Sequence, residues 1–218
     1  MGLPVNELPC SRAEFEAALI ERHGAVNQEK LSHARIGIAG LGGLGSAVAF
    51  HLARLGVGTL VLVDFDDVDL TNLHRQQYTL AHLNTPKTEA LASQLSSINP
   101  FVALETHQTK INETNAATLF DGCDVVVEAF DRADQKAMLI ETLLGSLPST
   151  KIVSGSGMAG MDSANTISTK RVLTNLYLCG DGSSDVAEAG TLVSPRVGVC
   201  AGHQANMVLR LILSETEP

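Results

Sequence analysis

The sequence has no tryptophan, and aromatic residues make up only 4% of it. Its core must therefore be aliphatic, and Val, Leu, Ile and Ala suit parallel strands covered by helices. No apolar run approaches the length of a bilayer span, so no membrane association is expected. Residues 1–20 lack the charged-then-apolar order of a signal peptide, and the expected location is cytoplasmic. A basic stripe is missing as well. The formal net charge is −9, which argues against a nucleic-acid surface. The four cysteines, Cys10, Cys123, Cys179 and Cys200, are widely spaced with no C-x-x-C pair. Free thiols are expected in place of disulfides or a zinc cage.

What is present fits one α/β domain: 218 residues, 44% hydrophobic and 18% charged. Phe15, Leu19 and Ile20, then Val26 and Leu31, have helix-like spacing around a break at Gly24. They predict an N-terminal helical arm over 1–30, ahead of a single domain over 31–218. Strands are expected over 35–39, 59–63, 102–106, 124–129 and 152–154. Helices are expected over 44–55, 87–98, 113–120, 133–144 and 195–213. Segments 165–167 and 172–178 are candidates for an antiparallel pair. The alternation implies a Rossmann-like, doubly wound, mostly parallel sheet with helices on both faces. Two segments stand apart as long polar or glycine-rich loops, 66–86 and 180–195. Loops of that length in compact domains are commonly functional.

The chemistry begins at IGIAGLGGLGSAVAFHLARLG, residues 36–56. Gly40, Gly42, Gly43 and Gly45 lie in a G-x-G-x-x-G pattern between a strand and a helix. The first glycine permits the tight turn, the second lets backbone approach phosphate, and the third lets helix and strand pack. The helix that follows offers unpaired N–H groups to an anion. Asp64, at the end of the next strand, can hold ribose hydroxyls. A turn used only for packing would not need that acid, so a nucleotide site is the better reading.

The pattern alone does not separate a dinucleotide from ATP. Charge does. ATP reacting at a phosphate develops further charge on its leaving pyrophosphate, which calls for fixed cations and Mg²⁺. Asn72, Arg75, Gln76 and Lys87 supply polar and positive groups on or beside the first long loop. Asp131 follows the strand DVVVEA at the carboxyl edge of the sheet, where one acid can hold Mg²⁺ through one or two oxygens. Together these residues favour a triphosphate.

The stretch GLGGLGSAVAFHLARLGVGTLVLVDFDDVDLTNLHRQQY resembles the ThiF/MoeB/HesA family, relatives of the ubiquitin-activating enzymes. That family reads G-x-G-G-x-G, D-x-D, N-L-x-R-Q, a Lys before a helix, and an Asp after a later strand. All of these are present here in order. The resemblance covers roughly residues 22–213. ERHGAVNQEKL, EAFDRADQKAML, SGMAG, NLYLCGD and SPRVGVCAGHQANMVLRLIL are similar to the short ThiF-like subgroup associated with thiamine biosynthesis.

The resemblance implies ATP-dependent adenylation of the C-terminal glycine of a ThiS-like, ubiquitin-fold sulfur carrier protein with a Gly-Gly tail. It implies that Gly40, Gly42, Gly43 and Gly45 line the nucleotide and that Asp64, with Asp66 near it, serves the ribose side. Asn72, Arg75 and Lys87 would contact the phosphates, with Gln76 among the cofactor-binding residues, and Asp131 would hold Mg²⁺. It also implies a homodimer in which an arginine near the N-terminus reaches the partner's site; Arg22 in IERHG is the candidate and Arg12 the fallback. Many relatives carry a zinc in two C-x-x-C pairs, and without those pairs none is expected here. Several carry a cysteine shortly before E-A-G in the loop over 180–194, where this chain has Val186. Cys179 in NLYLCGD is then the remaining candidate for sulfur handling, against the alternative of a small residue closing a strand. Arg132 stands where members commonly have Asn. A molybdopterin-synthase small subunit or a tRNA remain alternative clients. An NAD-dependent oxidoreductase would leave Arg75, Lys87 and Asp131 unexplained, and a non-catalytic scaffold would leave the whole charged set idle.

Overall fold

The computed structural model describes residues 8–218. The predicted arm over 1–30 is seen from residue 8; residues 1–7 lie outside the described part. Helix α1 (Arg12–His23) opens on a capping box in which the Glu14 amide donates to Ser11 Oγ and the Ser11 amide donates to Glu14. It stops at Gly24, whose φ of 79° favours glycine, and α2 (Ala25–His33) follows at once. The break at Gly24 is therefore where the apolar spacing puts it.

A seven-stranded sheet has the order β3-β2-β1-β4-β5-β7-β6. Its strands are β1 (Arg35–Ala39), β2 (Thr59–Asp64), β3 (Ala103–Gln108), β4 (Val125–Glu128), β5 (Lys151–Gly155), β6 (Ser168–Leu173) and β7 (Leu176–Gly180). All neighbours are parallel except β6 and β7. In register, Ile38 sits between Leu62 and Val127. Alternate residues of each central strand serve opposite faces. Leu60 and Leu62 pack in one apolar layer with α3 (Gly43–Leu55), α4 (Lys87–Ile98) and α8 (Ser194–Ile212). Val61 and Val63 pack in the other with α5 (Ala116–Leu119) and α6 (Ala133–Ser146). Burial on both faces is why the central strands read as continuous apolar runs.

The glycine turn lies between β1 and α3. A Cβ on Gly45 would fall 1.9 Å from the Gly40 carbonyl, so close seating of α3 on β1 requires that glycine. Proline near the start of α8 and Asn99-Pro100 after α4 end or begin helices as expected.

Two expectations are corrected. The helix expected over 113–120 is one turn, Ala116–Leu119. Its leading residues are held in a turn instead: the Thr114 amide donates to Asn112 Oδ1 and the Asn112 amide to Asn115 Oδ1. The antiparallel pair is real but displaced. Ala164–Thr166 is a 3₁₀ turn, and the reversal falls at Thr174 and Asn175, inside the expected second strand. Asn175 donates to the Pro148 carbonyl and accepts from Lys151, so its side chain anchors the turn. The loop over 66–86 is held by two 3₁₀ turns, Leu70–Asn72 and Leu80–His82, and a bridge between Asp67 and Pro86. The loop after β7 carries the short helix α7 (Val186–Ala189).

Candidate functional site

The sheet order reverses between β1 and β4, and a crevice opens beyond their carboxyl ends. There lies a cavity of about 640 Å³. Its floor is the Gly40–Gly43 turn, its walls are the ends of β2, β3 and β4, and its rims are residues 155–159 and 182–186.

The turn is fixed from two sides at Leu41. The Leu41 amide donates to Asp64 Oδ2 at 2.6 Å, and the Tyr78 hydroxyl donates to the Leu41 carbonyl at 2.8 Å. Asp64 Oδ1 accepts from the Asp66 amide at 2.8 Å. Burial pushes the Asp64 carboxyl above its ordinary value, opposed by Lys87 and by these two N–H groups. Lys87, the first residue of α4, is 5% exposed, and its Nζ donates to Asp66 Oδ2 at 2.8 Å. The sequence suggests a loop-edge lysine; the structure has it buried in the cavity lining, with both its amide and its Nζ bonded to Asp66.

The cavity brings together Gly40, Gly42, Gly43, Asp64, Asp66, Asn72, Arg75, Gln76, Lys87 and Asp131. Asn72, Arg75 and Gln76 share one turn, the Gln76 amide donating to the Asn72 carbonyl at 3.0 Å. Gln76 is buried, and its Oε1 has no hydrogen-bond partner among the described residues. Arg75 and Lys110 line the cavity with no carboxylate partner among the described residues, whereas Lys87 pairs with Asp66, Lys136 with Glu128 and Arg132 with Asp134. Asp131 is exposed at the mouth and has neither hydrogen bond nor ion pair among the described residues.

Three sequence candidates lie elsewhere. Gly45 sits behind the turn and serves packing rather than lining. Arg22 is on α1, its side chain 78% exposed, with Glu21 beside it at 3.7 Å, and does not line its own chain's cavity. Cys179 is fully buried in the core, where burial pushes its thiol up to about 11. A thiol so placed holds little thiolate and has no opening to a substrate, which fits the strand-closing alternative. Cys123 and Cys200 are buried as well.

The sequence reading passed over Glu128, a fully buried carboxylate at the end of β4. A lone acid at the end of the apolar run DVVV was the signal. Lys110 was passed over because β3 was expected to stop two residues short of its real end.

A model of the ThiF family matches residues 16–218. The chain belongs to the ThiF family. The molybdopterin-synthase adenylyltransferase of Escherichia coli strain K12 is 31% identical over 197 residues, spanning 88% of this chain and 78% of the relative. That of Haemophilus influenzae is 42% identical over 113 residues, 51% of this chain and 46% of the relative. Adenylyltransferase and sulfurtransferase MOCS3 of Anopheles gambiae is 35% identical over 141 residues, and the match spans only 32% of its length. Among solved structures, E. coli tRNA N6-threonylcarbamoyladenosine dehydratase, TcdA, in complex with AMP superposes with a TM-score of 0.84 at 20% identity. It covers 96% of this chain and 99% of that one. At that identity the likeness concerns the fold, and it extends over the whole ThiF-family sheet of this chain.

Proposed function

We propose that this chain is an adenylyltransferase that uses ATP to activate the C-terminal glycine of a ubiquitin-fold sulfur carrier protein. The observation that carries the reading is the meeting of Arg75, Lys87 and an Asp131 with no hydrogen bond or ion pair among the described residues, around one cavity floored by a glycine turn. The names of the relatives, adenylyltransferases of molybdopterin synthase, support it.

The carrier's C-terminal carboxylate has a pKa of about 3.5 and is ionised at neutral pH. It needs no general base. Its oxygen attacks the α-phosphorus of ATP, a new O–P bond forms, and the bond from that phosphorus to the bridging oxygen breaks. Acyl-adenylate and pyrophosphate result. The site's task is to bring two anions together and to absorb charge as pyrophosphate leaves, and fixed cations do both. In this reading the Gly40–Gly43 turn takes the phosphates on backbone N–H groups, Asp64 holds the ribose, and Asn72, Arg75, Gln76 and Lys87 serve the phosphate chain. A single exposed carboxylate with free oxygens fits Mg²⁺, which keeps most of its shell for water and phosphate. Asp131 would hold it, and bound there it would offset charge on the phosphates. Arg22 would complete the site from the partner of a homodimer.

The motifs of the short subgroup favour a ThiS-type client in thiazole formation for thiamine. The relatives' names favour a molybdopterin-synthase small subunit as the second reading. ATP–pyrophosphate exchange with each purified carrier decides between them. Exchange with a ThiS-type carrier supports the first, and exchange only with the other supports the second. Exchange with neither, or NADH oxidation without ATP, would overturn carrier adenylation.

A further inference from the structure

Behind Asp131 lies an ion pair that the proposed chemistry does not use. Glu128 is fully buried, and Lys136 is mostly so. Lys136 Nζ donates to Glu128 Oε1 at 3.1 Å, to Oε2 at 3.0 Å and to the Gly155 carbonyl at 2.9 Å, which uses all its protons. Glu128 Oε1 also accepts from the Phe130 amide at 2.7 Å, and Oε2 from the Ser154 hydroxyl. The Glu128 carbonyl accepts from Gln204 Nε2 at 3.0 Å.

These bonds surround Asp131. Phe130, one residue before it, is held by the Glu128 side chain. Arg132, one residue after it, gives its carbonyl to the Lys136 amide at 3.0 Å. The Phe130 flank of the Asp131 turn is thus tied to one buried carboxylate, which Lys136 holds in turn; the Arg132 flank carries the first backbone bond of α6, and the Asp131 side chain has no hydrogen bond or ion pair among the described residues. The same lysine grips Gly155, where the opposite rim of the cavity begins. A buried pair of this kind is weak evidence for stability, because desolvation offsets much of its attraction. Its geometry is better matched to fixing a turn.

Resting on the adenylation reading, we infer that Glu128 and Lys136 are positioning residues that hold the Asp131 carboxylate where the divalent cation of the nucleotide must sit. Glu128 does not line the cavity, and Lys136, which does, has its three ammonium protons committed to Glu128 and Gly155. Glu128 acts through the Phe130 amide beside Asp131, and Lys136 acts by fixing Glu128 and the Gly155 carbonyl.

The test measures Mn²⁺ binding in the presence of ATP by electron paramagnetic resonance, on the full chain and without any carrier. Loss of a residue that orients a metal ligand weakens metal binding by about 10- to 100-fold. Glu128→Gln and Lys136→Met are expected to raise the Mn²⁺ dissociation constant by about tenfold or more. ATP binding without divalent cation should stay within about twofold of wild type, and Lys136→Arg should restore most of the Mn²⁺ affinity. Unchanged Mn²⁺ binding, or an equal loss of metal-free ATP binding, would overturn the inference. Should Glu128→Gln fail to fold, Ser154→Ala removes only one bond to the same carboxylate. It should shift Mn²⁺ binding in the same direction, and no shift overturns the inference. Failure of wild-type pyrophosphate exchange with carriers would sink the adenylation reading instead, and leaves the Mn²⁺ result standing by itself.

Discussion

Asp64 and Leu41 are joined by a 2.6 Å hydrogen bond from the Leu41 amide to the Asp64 carboxylate, across the floor of the cavity. The acid that the sequence offers to the ribose is thereby also a brace of the glycine turn. Asp64→Ala leaves the buried Leu41 amide without its acceptor, at a cost of about 1–3 kcal/mol, and frees the part-buried Asp66 amide at a smaller cost. We expect Asp64→Ala to lower the urea midpoint and to weaken ATP binding together, while Asp64→Asn, which keeps one acceptor oxygen, is milder in both. Equal stability of Asp64→Ala and wild type would refute the bracing role.

Lys87 and Asp131 are expected to differ in kind. Asp131→Ala removes an exposed side chain with no hydrogen bond or ion pair among the described residues, so stability should stay within about 0.5 kcal/mol while exchange is lost. Lys87→Met removes a buried cation. Exchange should fall by about 10²–10³-fold, as for loss of a fixed charge-stabilising group, and thermal melting should also drop because Asp66 loses its partner. A Lys87→Met protein with full exchange would remove this residue from the phosphate site.

Arg22 stands outside its own cavity. Arg22→Ala and Asp131→Ala should each be inactive alone, and mixing them should restore exchange through heterodimers that keep one intact site. Activity of Arg22→Ala alone at the wild-type level would show that the site is complete without it.

Asp181 predicts the acid limit of the fold. Burial raises its carboxyl, but the Ser184 and Ser183 amides, the Ser184 hydroxyl and Arg196 outweigh that and hold it well below the usual carboxylate range. A depressed folded value stabilises above the unfolded pKa of about 3.9 and is lost as pH falls toward the folded value. The gap in urea midpoint between wild type and Asp181→Asn should therefore be full at neutral pH and shrink below about pH 4. A gap independent of pH down to acid unfolding would contradict the assignment.

Cys179→Ser should leave pyrophosphate exchange within about twofold of wild type, since the thiol neither lines the cavity nor ionises readily. Any loss should appear as reduced stability, because a hydroxyl is less at home than a thiol in that core. Exchange abolished in a folded Cys179→Ser protein would return the residue to the chemistry.

Much of the fold was legible because its elements carry strong local signals. RIGIA and TLVLV are apolar runs flanked by glycine or acid, and KTEALASQLSSI is bounded by Pro86 and by Asn99-Pro100. The signal failed where side chains compete with the backbone. Asn112 and Asn115 consume the start of the expected helix, and Asn175 turns a chain that reads as one strand. Ten of the candidate site residues meet in one cavity because a parallel sheet sends every βα loop to the same edge.

The sequence by itself determined the layering, the glycine turn and the family, since these follow from periodicity and from short motifs whose spacing is local. Only the tertiary structure decided which charges are free. Lys87 and Lys136 are neutralised by Asp66 and Glu128, partners at sequence separations of 21 and 8, while Asp131 is left open. It also decided that Cys179 belongs to the core. Pairing and burial depend on distances across strands, and no pattern read along a single chain contains them.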